Sequence, residues 1–276
     1  MRIDFTKMHG LGNDFIVFEA ARDGPLPTPQ QFRRLGDRHT GIGFDQALVL
    51  LPAQHPGASL YYRIFNADGT EVEQCGNGAR CIAALLHRLG RVALGEAVVM
   101  ESLGGEVCAR VLSPETIAVN MGEPRFEPRA VPFDAPSDAL SHVLEVDGTR
   151  VQIGVVSLGN PHAVLTVDSV DTAPVERLGP AIEAHPRFPK RVNVGFMQLV
   201  DRGHLRLRVH ERGAGETLAC GTGACAAVVV ARRRGLTDAE VTVEVRGGQL
   251  RVNWDAPGPV WLTGPAKIAF EGHVEL

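Results

Sequence analysis

Cys75 and Cys220 each precede a Gly-x-Gly and an apolar run. Glu71-Val72-Glu73-Gln74-Cys75-Gly76-Asn77-Gly78-Ala79 and Glu216-Thr217-Leu218-Ala219-Cys220-Gly221-Thr222-Gly223-Ala224 align at an offset of 145, and the runs end at Gly90 and Gly235. The pattern predicts one device built twice, a thiol at the mouth of a helix. A free thiol ionises near pH 8.5, and a helix N-terminus lowers that into roughly the 3.5 to 7.5 range. Unpaired backbone N–H groups and aligned peptide dipoles are the cause. The same N–H groups, approached closely across glycine, seat a carboxylate. Two facing thiols can take a proton from one side of a carbon and return one on the other. With a carboxylate held at Gly76-Asn77 and Gly221-Thr222, charge developing during abstraction meets donors already in place, as in an oxyanion hole. One sulfur must then be thiolate and the other thiol, so the pair titrates as a coupled unit. The scheme demands no pyridoxal phosphate and no metal. A single such cysteine would also suit a nucleophile. Spacings of six (Cys75, Cys81) and five (Cys220, Cys225) fit zinc ligation poorly. Cys81, Cys108 and Cys225 read as small buried hydrophobes.

Further blocks repeat in the same order. Leu11-Gly12-Asn13 matches Leu158-Gly159-Asn160, Gly43-Phe44-Asp45-Gln46 matches Gly195-Phe196-Met197-Gln198, Arg63-Ile64-Phe65-Asn66 matches Arg208-Val209-His210-Glu211, and Gly104-Gly105 matches Gly247-Gly248. Ordered blocks at nearly one offset predict two similar halves related by a pseudo-twofold, not a solenoid of shorter units. The competing explanation is shared turn chemistry without shared geometry. Hairpins are expected around Gly104-Gly105, Asp147-Gly148 and Gly247-Gly248, with Asp-Gly suited to a type I′ turn. Helices are expected at Ala79–Leu89 and Ala224–Arg234, apolar enough to be buried, from Thr28-Pro29, and at Pro174–Glu183. The fold class is α/β (α+β): two pseudo-symmetric domains, each a bent, mostly antiparallel or mixed sheet wrapped around a central buried helix. The Pro-rich stretch Glu123–Pro136 is the linker candidate. The tail Ile268–Leu276 is expected to return to the first domain.

At 276 residues the length suits two domains. A net charge of −4 gives no general affinity for nucleic acid, and Arg232-Arg233-Arg234 is explained by a helix C-terminus. Met1-Arg2-Ile3-Asp4-Phe5 lacks the apolar core of a signal peptide, and no apolar stretch is long enough to span a membrane. Five cysteines without a secretory signal favour reduced thiols and a cytoplasmic location.

Several strings resemble diaminopimelate epimerase: His9-Gly10-Leu11-Gly12-Asn13-Asp14-Phe15, Cys75-Gly76-Asn77-Gly78-Ala79-Arg80-Cys81, Gly159-Asn160-Pro161-His162, Leu262-Thr263-Gly264-Pro265-Ala266, and above all the run from Glu211 to Cys225. The resemblance covers essentially the whole chain. It implies a cofactor-independent two-base epimerase interconverting L,L- and meso-diaminopimelate on the lysine and peptidoglycan precursor route. It also implies substrate in a cleft that closes, and a homodimer. Domains are expected at 1–121 with 265–276, carrying Cys75, and at 122–264, carrying Cys220. Carried over, Cys75 and Cys220 are the acid–base pair, and Gly76, Asn77, Gly221 and Thr222 hold the reacting carboxylate. Glu211 takes the reacting ammonium. Asn13, Asn66, Asn160, Asn193 and Arg212 read the distal end, Gln46 joins the binding set, and His162 and Glu211 tune the thiols. A zwitterion needs donors and acceptors together, which Asn supplies, and Arg adds a fork for carboxylate. Bland alternatives are turn or loop roles for the Asn residues and Gln46, a core histidine at 162, and a surface ion pair of Glu211 with Arg212. Phe270 stands where the family often carries Tyr, which bears on dimer detail. Rival functions are a proline or hydroxyproline racemase of the same architecture, and a redox-sensing binding protein that closes a Cys75–Cys220 disulfide around its ligand.

Overall fold

The computed structural model describes residues 2–73 and 75–276. Met1 of the N-terminal reading and Gln74 of the first repeat copy lie outside the described residues. The chain forms two compact units, Met1–Asn120 with Gly264–Leu276, and Met121–Thr263.

The first unit runs β1 (Arg2–Gly10), β2 (Asn13–Glu19), α1 (Pro29–Gly36), β3 (Gln46–Leu51), β4 (Leu60–Asn66), β5 (Glu71–Val72), α2 (Gly76–Arg88), β6 (Ala97–Ser102), β7 (Gly105–Ser113) and β8 (Thr116–Asn120). The second runs β9 (His142–Val146), β10 (Thr149–Ser157), β11 (Pro161–Thr166), α3 (Val175–Glu183), β12 (Asn193–Asp201), β13 (His204–Glu211), β14 (Gly215–Thr217), α4 (Gly221–Arg233), β15 (Glu240–Val245), β16 (Gly248–Asn253) and β17 (Trp261–Pro265). Finally β18 (Lys267–Glu275) returns to pair antiparallel with β1.

Strand pairing in the two units corresponds one to one. In the first, β1–β2 is antiparallel, β2–β3 parallel, β3–β4 and β4–β5 antiparallel, β4–β6 parallel, and β6–β7 and β7–β8 antiparallel. In the second, β10–β11, β11–β12, β12–β13, β13–β14, β13–β15, β15–β16 and β16–β17 repeat that series. Shared turn chemistry alone does not produce matching parallel crossovers. The registers correct one sequence match. Gln46 pairs with Asn66 at the start of β3, and Asn193 opens β12 opposite the end of β13. Thus Asn193, not Gln198, is the counterpart of Gln46.

Local chemistry sets the elements. Asp147 (φ 50°) and Gly148 (φ 74°) close the β9–β10 hairpin with both central residues left-handed, as a type I′ turn requires. Thr28 caps α1 in a capping box with Gln31, and Pro29 fills the first turn. Helix α2 packs on β1, β2, β7 and β8, and α4 on β10, β11, β12, β13 and β16. Each is buried almost all round: Asn77 to Leu86 in α2, Gly223 to Ala231 in α4. A second layer in each unit lies under α1 and α3, where Phe32 stacks on Phe65 and Phe133 on Phe188.

The stretch Glu123–Pro136 is no linker. Val131 and Phe133 belong to the core of the second unit, Arg125 bridges to Ser157, and the unit boundary falls at Asn120/Met121. Val131 and Phe133 point inward from this stretch, Ala135 packs against the same core, and Phe126 lies against Trp254. Cys81 and Cys225 are fully buried, but Cys108 is half-buried, because its neighbours Val107 and Ala109 take the inward positions of β7.

Candidate active site

Helix α2 begins one residue after Cys75, earlier than the apolar run suggests, so the cysteine itself is the N-cap. Its extended backbone (φ −148°, ψ 107°) turns Sγ back to accept the Gly78 N–H at 3.4 Å. Gly78 permits this packing, since a Cβ there would stand 3.0 Å from a Leu48 methyl. Asn13 follows the tight β1–β2 turn through Leu11 (φ 56°) and Gly12 (φ 89°). Its Oδ1 lies 3.9 Å from Cys75 Sγ and accepts from Asn77 Nδ2 at 3.2 Å. Two charged groups stand behind these amides. Asp45 Oδ2 accepts from Asn13 Nδ2 at 2.9 Å, and Arg80, fully buried, donates to Asn77 Oδ1 at 2.6 Å and to the Pro265 carbonyl at 3.3 Å. Asp45 is held in turn by Arg38 at 2.8 Å, which also forks onto Asp14. Burial raises the Asp14 carboxyl, but hydrogen bonds from Arg38 and Lys7 outweigh it and hold that carboxyl well below the usual range. Gln46 Nε2 donates to Asn66 Oδ1 at 3.0 Å, while Asn66 Nδ2 reaches Thr70.

Cys220 occupies the equivalent cap of α4 (φ −119°, ψ 110°), and Gly221 and Thr222 open the helix. Its surroundings differ. The sulfur contacts Thr222 Oγ1 at 3.6 Å and lies beside the Glu211 carboxylate, which also accepts a 2.5 Å bond from Thr217. Burial pushes the Cys220 thiol well above its ordinary value, and the Glu211 charge adds to the rise. This reverses the lowering expected from a helix N-terminus: the dipole is outweighed by desolvation and a neighbouring anion. Thr222 Oγ1 accepts from Asn160 Nδ2 at 3.3 Å, and Asn160 Oδ1 lies 2.9 Å from His162 Nε2. Burial, with the charge of Arg212, lowers the His162 pKa to about 3. A neutral ring therefore donates its Nε2–H to Asn160. Asn193 is buried; its Nδ2 donates to the Pro161 carbonyl and its Oδ1 accepts the Arg212 N–H, both at 2.9 Å. Arg212 is exposed and donates to the Lys190 carbonyl at 3.1 Å, so its guanidinium serves that carbonyl and not a partner Glu211.

In the first unit the fold brings Asn13, Cys75, Gly76 and Asn77 together, with Gln46 joined to Asn66. In the second it gathers Asn160, His162, Glu211, Cys220, Gly221 and Thr222, with Asn193 joined to Arg212. One bidentate pair recurs in each unit: Arg63 with Glu71 at 2.7 and 2.8 Å, and Arg208 with Glu216 at 2.6 and 2.8 Å. Each ties the long strand to the short one that leads into the cysteine. Asp45, Arg80 and Thr217 were missed as supporting residues. Arg80 carried a signal, a cation inside an otherwise apolar helix; Asp45 and Thr217 carried none.

The model of the family described as diaminopimelate epimerase matches residues 5–127 and 154–269. A diaminopimelate epimerase of Stutzerimonas stutzeri is 54% identical over 277 residues, covering 100% of both chains, and one of Laribacter hongkongensis is 55% identical over 279 residues with the same coverage. Among solved structures, a probable proline racemase from Agrobacterium radiobacter aligns with a TM-score of 0.68 at 19% identity, covering 99% of this chain and 93% of that one. A hydroxyproline epimerase from Agrobacterium vitis aligns at 0.68 and 18%, covering 99% and 92%. At such identity these structures share the fold.

Proposed function

This chain belongs to the diaminopimelate epimerase family, and we propose that it interconverts L,L- and meso-diaminopimelate by two-base proton transfer at one alpha carbon. The observation that carries the reading is the thiol capping each of two helices built alike, in units whose strand pairing corresponds throughout. Burial and Glu211 favour Cys220 as the resting thiol, and the two-base scheme assigns the base of this direction to Cys75. Cys75 removes the alpha proton on one face and Cys220 delivers one on the other, and the reverse reaction exchanges these tasks. The N–H groups of Gly76, Asn77, Gly221 and Thr222 hold the carboxylate as charge moves onto its oxygens. Glu211 binds the reacting ammonium. Asn13, Asn66, Asn160, Asn193, Gln46 and Arg212 bind the distal end, and His162 fixes the side-chain orientation of Asn160. The amides of Asn13, Gln46, Asn66, Asn160 and Asn193, with the opposite charges of Glu211 and Arg212, suit a substrate with charges at both ends. Proline, with one charged end, leaves them without partners. The reaction runs without cofactor, in the cytoplasm, in a homodimer.

Incubation with L,L-diaminopimelate in deuterated water should place deuterium on the epimerised alpha carbon, and incubation with proline should not. Exchange on proline alone would favour the racemase reading. Either Cys75→Ala or Cys220→Ala should lower turnover at least about 100-fold, the usual worth of one acid–base group. Retention of more than a few per cent would contradict the two-base role. Sedimentation equilibrium tests the homodimer, and activity after dialysis against a chelator tests independence from metal.

A further inference from the structure

Glu183 closes α3 and is buried, with only 7% of its surface exposed. It lies outside the residues assigned above. A buried carboxylate is costly unless its lone pairs are filled, and here three donors fill them. Gly213 N–H reaches Oε1 at 2.9 Å, Arg191 reaches the same oxygen at 3.2 Å, and His210 Nε2 lies 2.7 Å from Oε2. His210, buried on β13, approaches α3 only because residue 179 lacks a side chain: a Cβ on Gly179 would stand 2.7 Å from its ring. The Gly213 N–H belongs to the turn that closes β13 on β14, where Ala214 N–H returns to the Glu211 carbonyl at 3.1 Å. That turn displays Glu211 and Arg212. Asn193 grips it at the Arg212 N–H, and Glu183 grips it one residue later. In the first unit the corresponding turn meets α1 differently: Gly69 lies against Pro29, and Arg33 donates to the Asp68 carbonyl at 3.5 Å. Among the described residues of these two turns, a buried carboxylate accepting a turn N–H is seen only at the one that carries Glu211 and Arg212.

We infer that Glu183 is a positioning residue, a buried latch from α3 that sets the Glu211–Gly213 turn and thereby aims Glu211 and Arg212 at substrate. The role assigned to Glu183 rests on the epimerase reading of those two residues, so the experiment has one arm that needs no activity. Glu183→Leu removes both acceptor oxygens. Glu183→Gln keeps one for the Gly213 N–H. In the folded Leu variant the KM for L,L-diaminopimelate should rise about tenfold, the worth of one charge-assisted hydrogen bond, with kcat changing less. Amides of residues 211–215 should exchange faster in the substrate-free protein. Glu183→Gln should restore both properties toward the parent. A Leu variant with parental KM and exchange, or one that loses only kcat as a smaller active fraction would, overturns the latch. A Gln variant as impaired as Leu overturns it too. Should the Leu variant not melt cooperatively, Glu183→Asp decides: its carboxylate stays buried but falls one methylene short of Gly213. A raised KM then supports the latch and a parental KM refutes it. If the parent fails to epimerise diaminopimelate, the functional reading fails while the exchange arm still judges the latch.

Discussion

His162 shows how burial converts a titratable residue into a fixed donor. Buried to 1% exposure and facing the charge of Arg212, its ring does not take a proton until the pH approaches about 3. The unfolded side chain protonates near pH 6.5. Between those values the unfolded state binds the extra proton, so stability is present above 6.5 and is lost as pH falls toward 3. At pH 5 the loss from this one group is about 2 kcal/mol. Urea unfolding at pH 7 and pH 5 should show the parent losing more than His162→Gln by that amount; equal losses would sink the idea. Cys220 has the opposite sign. Its thiol is raised, so the unfolded chain ionises first and stability falls as pH climbs beyond about 8.5. Iodoacetamide should therefore label Cys220 slowly at pH 8, where an ordinary exposed thiol reacts. Rapid labelling there would mean that Glu211 and burial do not hold the proton.

At the scale of the element, the duplicated glycines act as helix stops. Gly90 (φ 71°) and Gly235 (φ 75°) each follow the C-cap, and the next residue closes the end, Arg91 N–H to the Leu86 carbonyl at 2.9 Å and Leu236 N–H to Ala231 at 3.0 Å. These are matched Schellman motifs. A Cβ at either glycine would meet nothing within 4 Å, so the cost of Ala is conformational. Gly90→Ala and Gly235→Ala should each destabilise by about 1 to 2 kcal/mol, seen as a lower denaturant midpoint with an unchanged slope; a cost below about 0.3 kcal/mol at either site would contradict the assignment. Helix mouths, helix stops and the Asp147-Gly148 hairpin were legible in the sequence because each is decided by a few neighbouring residues. Partners distant in the chain were not. Glu183 meets Gly213 and Asp45 meets Asn13 across folds of the chain that no spacing reveals. The Pro-rich stretch imitates a linker until Val131 and Phe133 are seen in a core. The match of Gln46 to Gln198 failed because turn residues align by composition, whereas strand register follows hydrogen bonding.

At the scale of the molecule, the first unit is made from both ends of the chain and the second from one continuous piece. Strand β18 is the consequence. It pairs with β1 from Arg2↔Glu275 to His9↔Lys267, with a register shift at Lys7/Met8, and sends Val274 and Leu276 against the cluster that holds Ile3, Phe5 and Phe32. Its counterpart in the second unit is β9, which pairs with β10 and reaches it through a two-residue turn. The outer strand of the first sheet thus arrives last in the chain, and its closure carries the larger loop entropy. Deleting residues 267–276 should strip β1 of one of its two partners, leaving only β2, and uncover Ile3 and Phe5, while leaving every pairing within the second unit intact. Hydrogen exchange followed by peptide should then show lost protection in β1 and β2 with β10, β11 and β12 unchanged. A uniform loss across both units would show instead that the two cores open together, and unchanged protection in β1 would show that β18 contributes nothing to holding it.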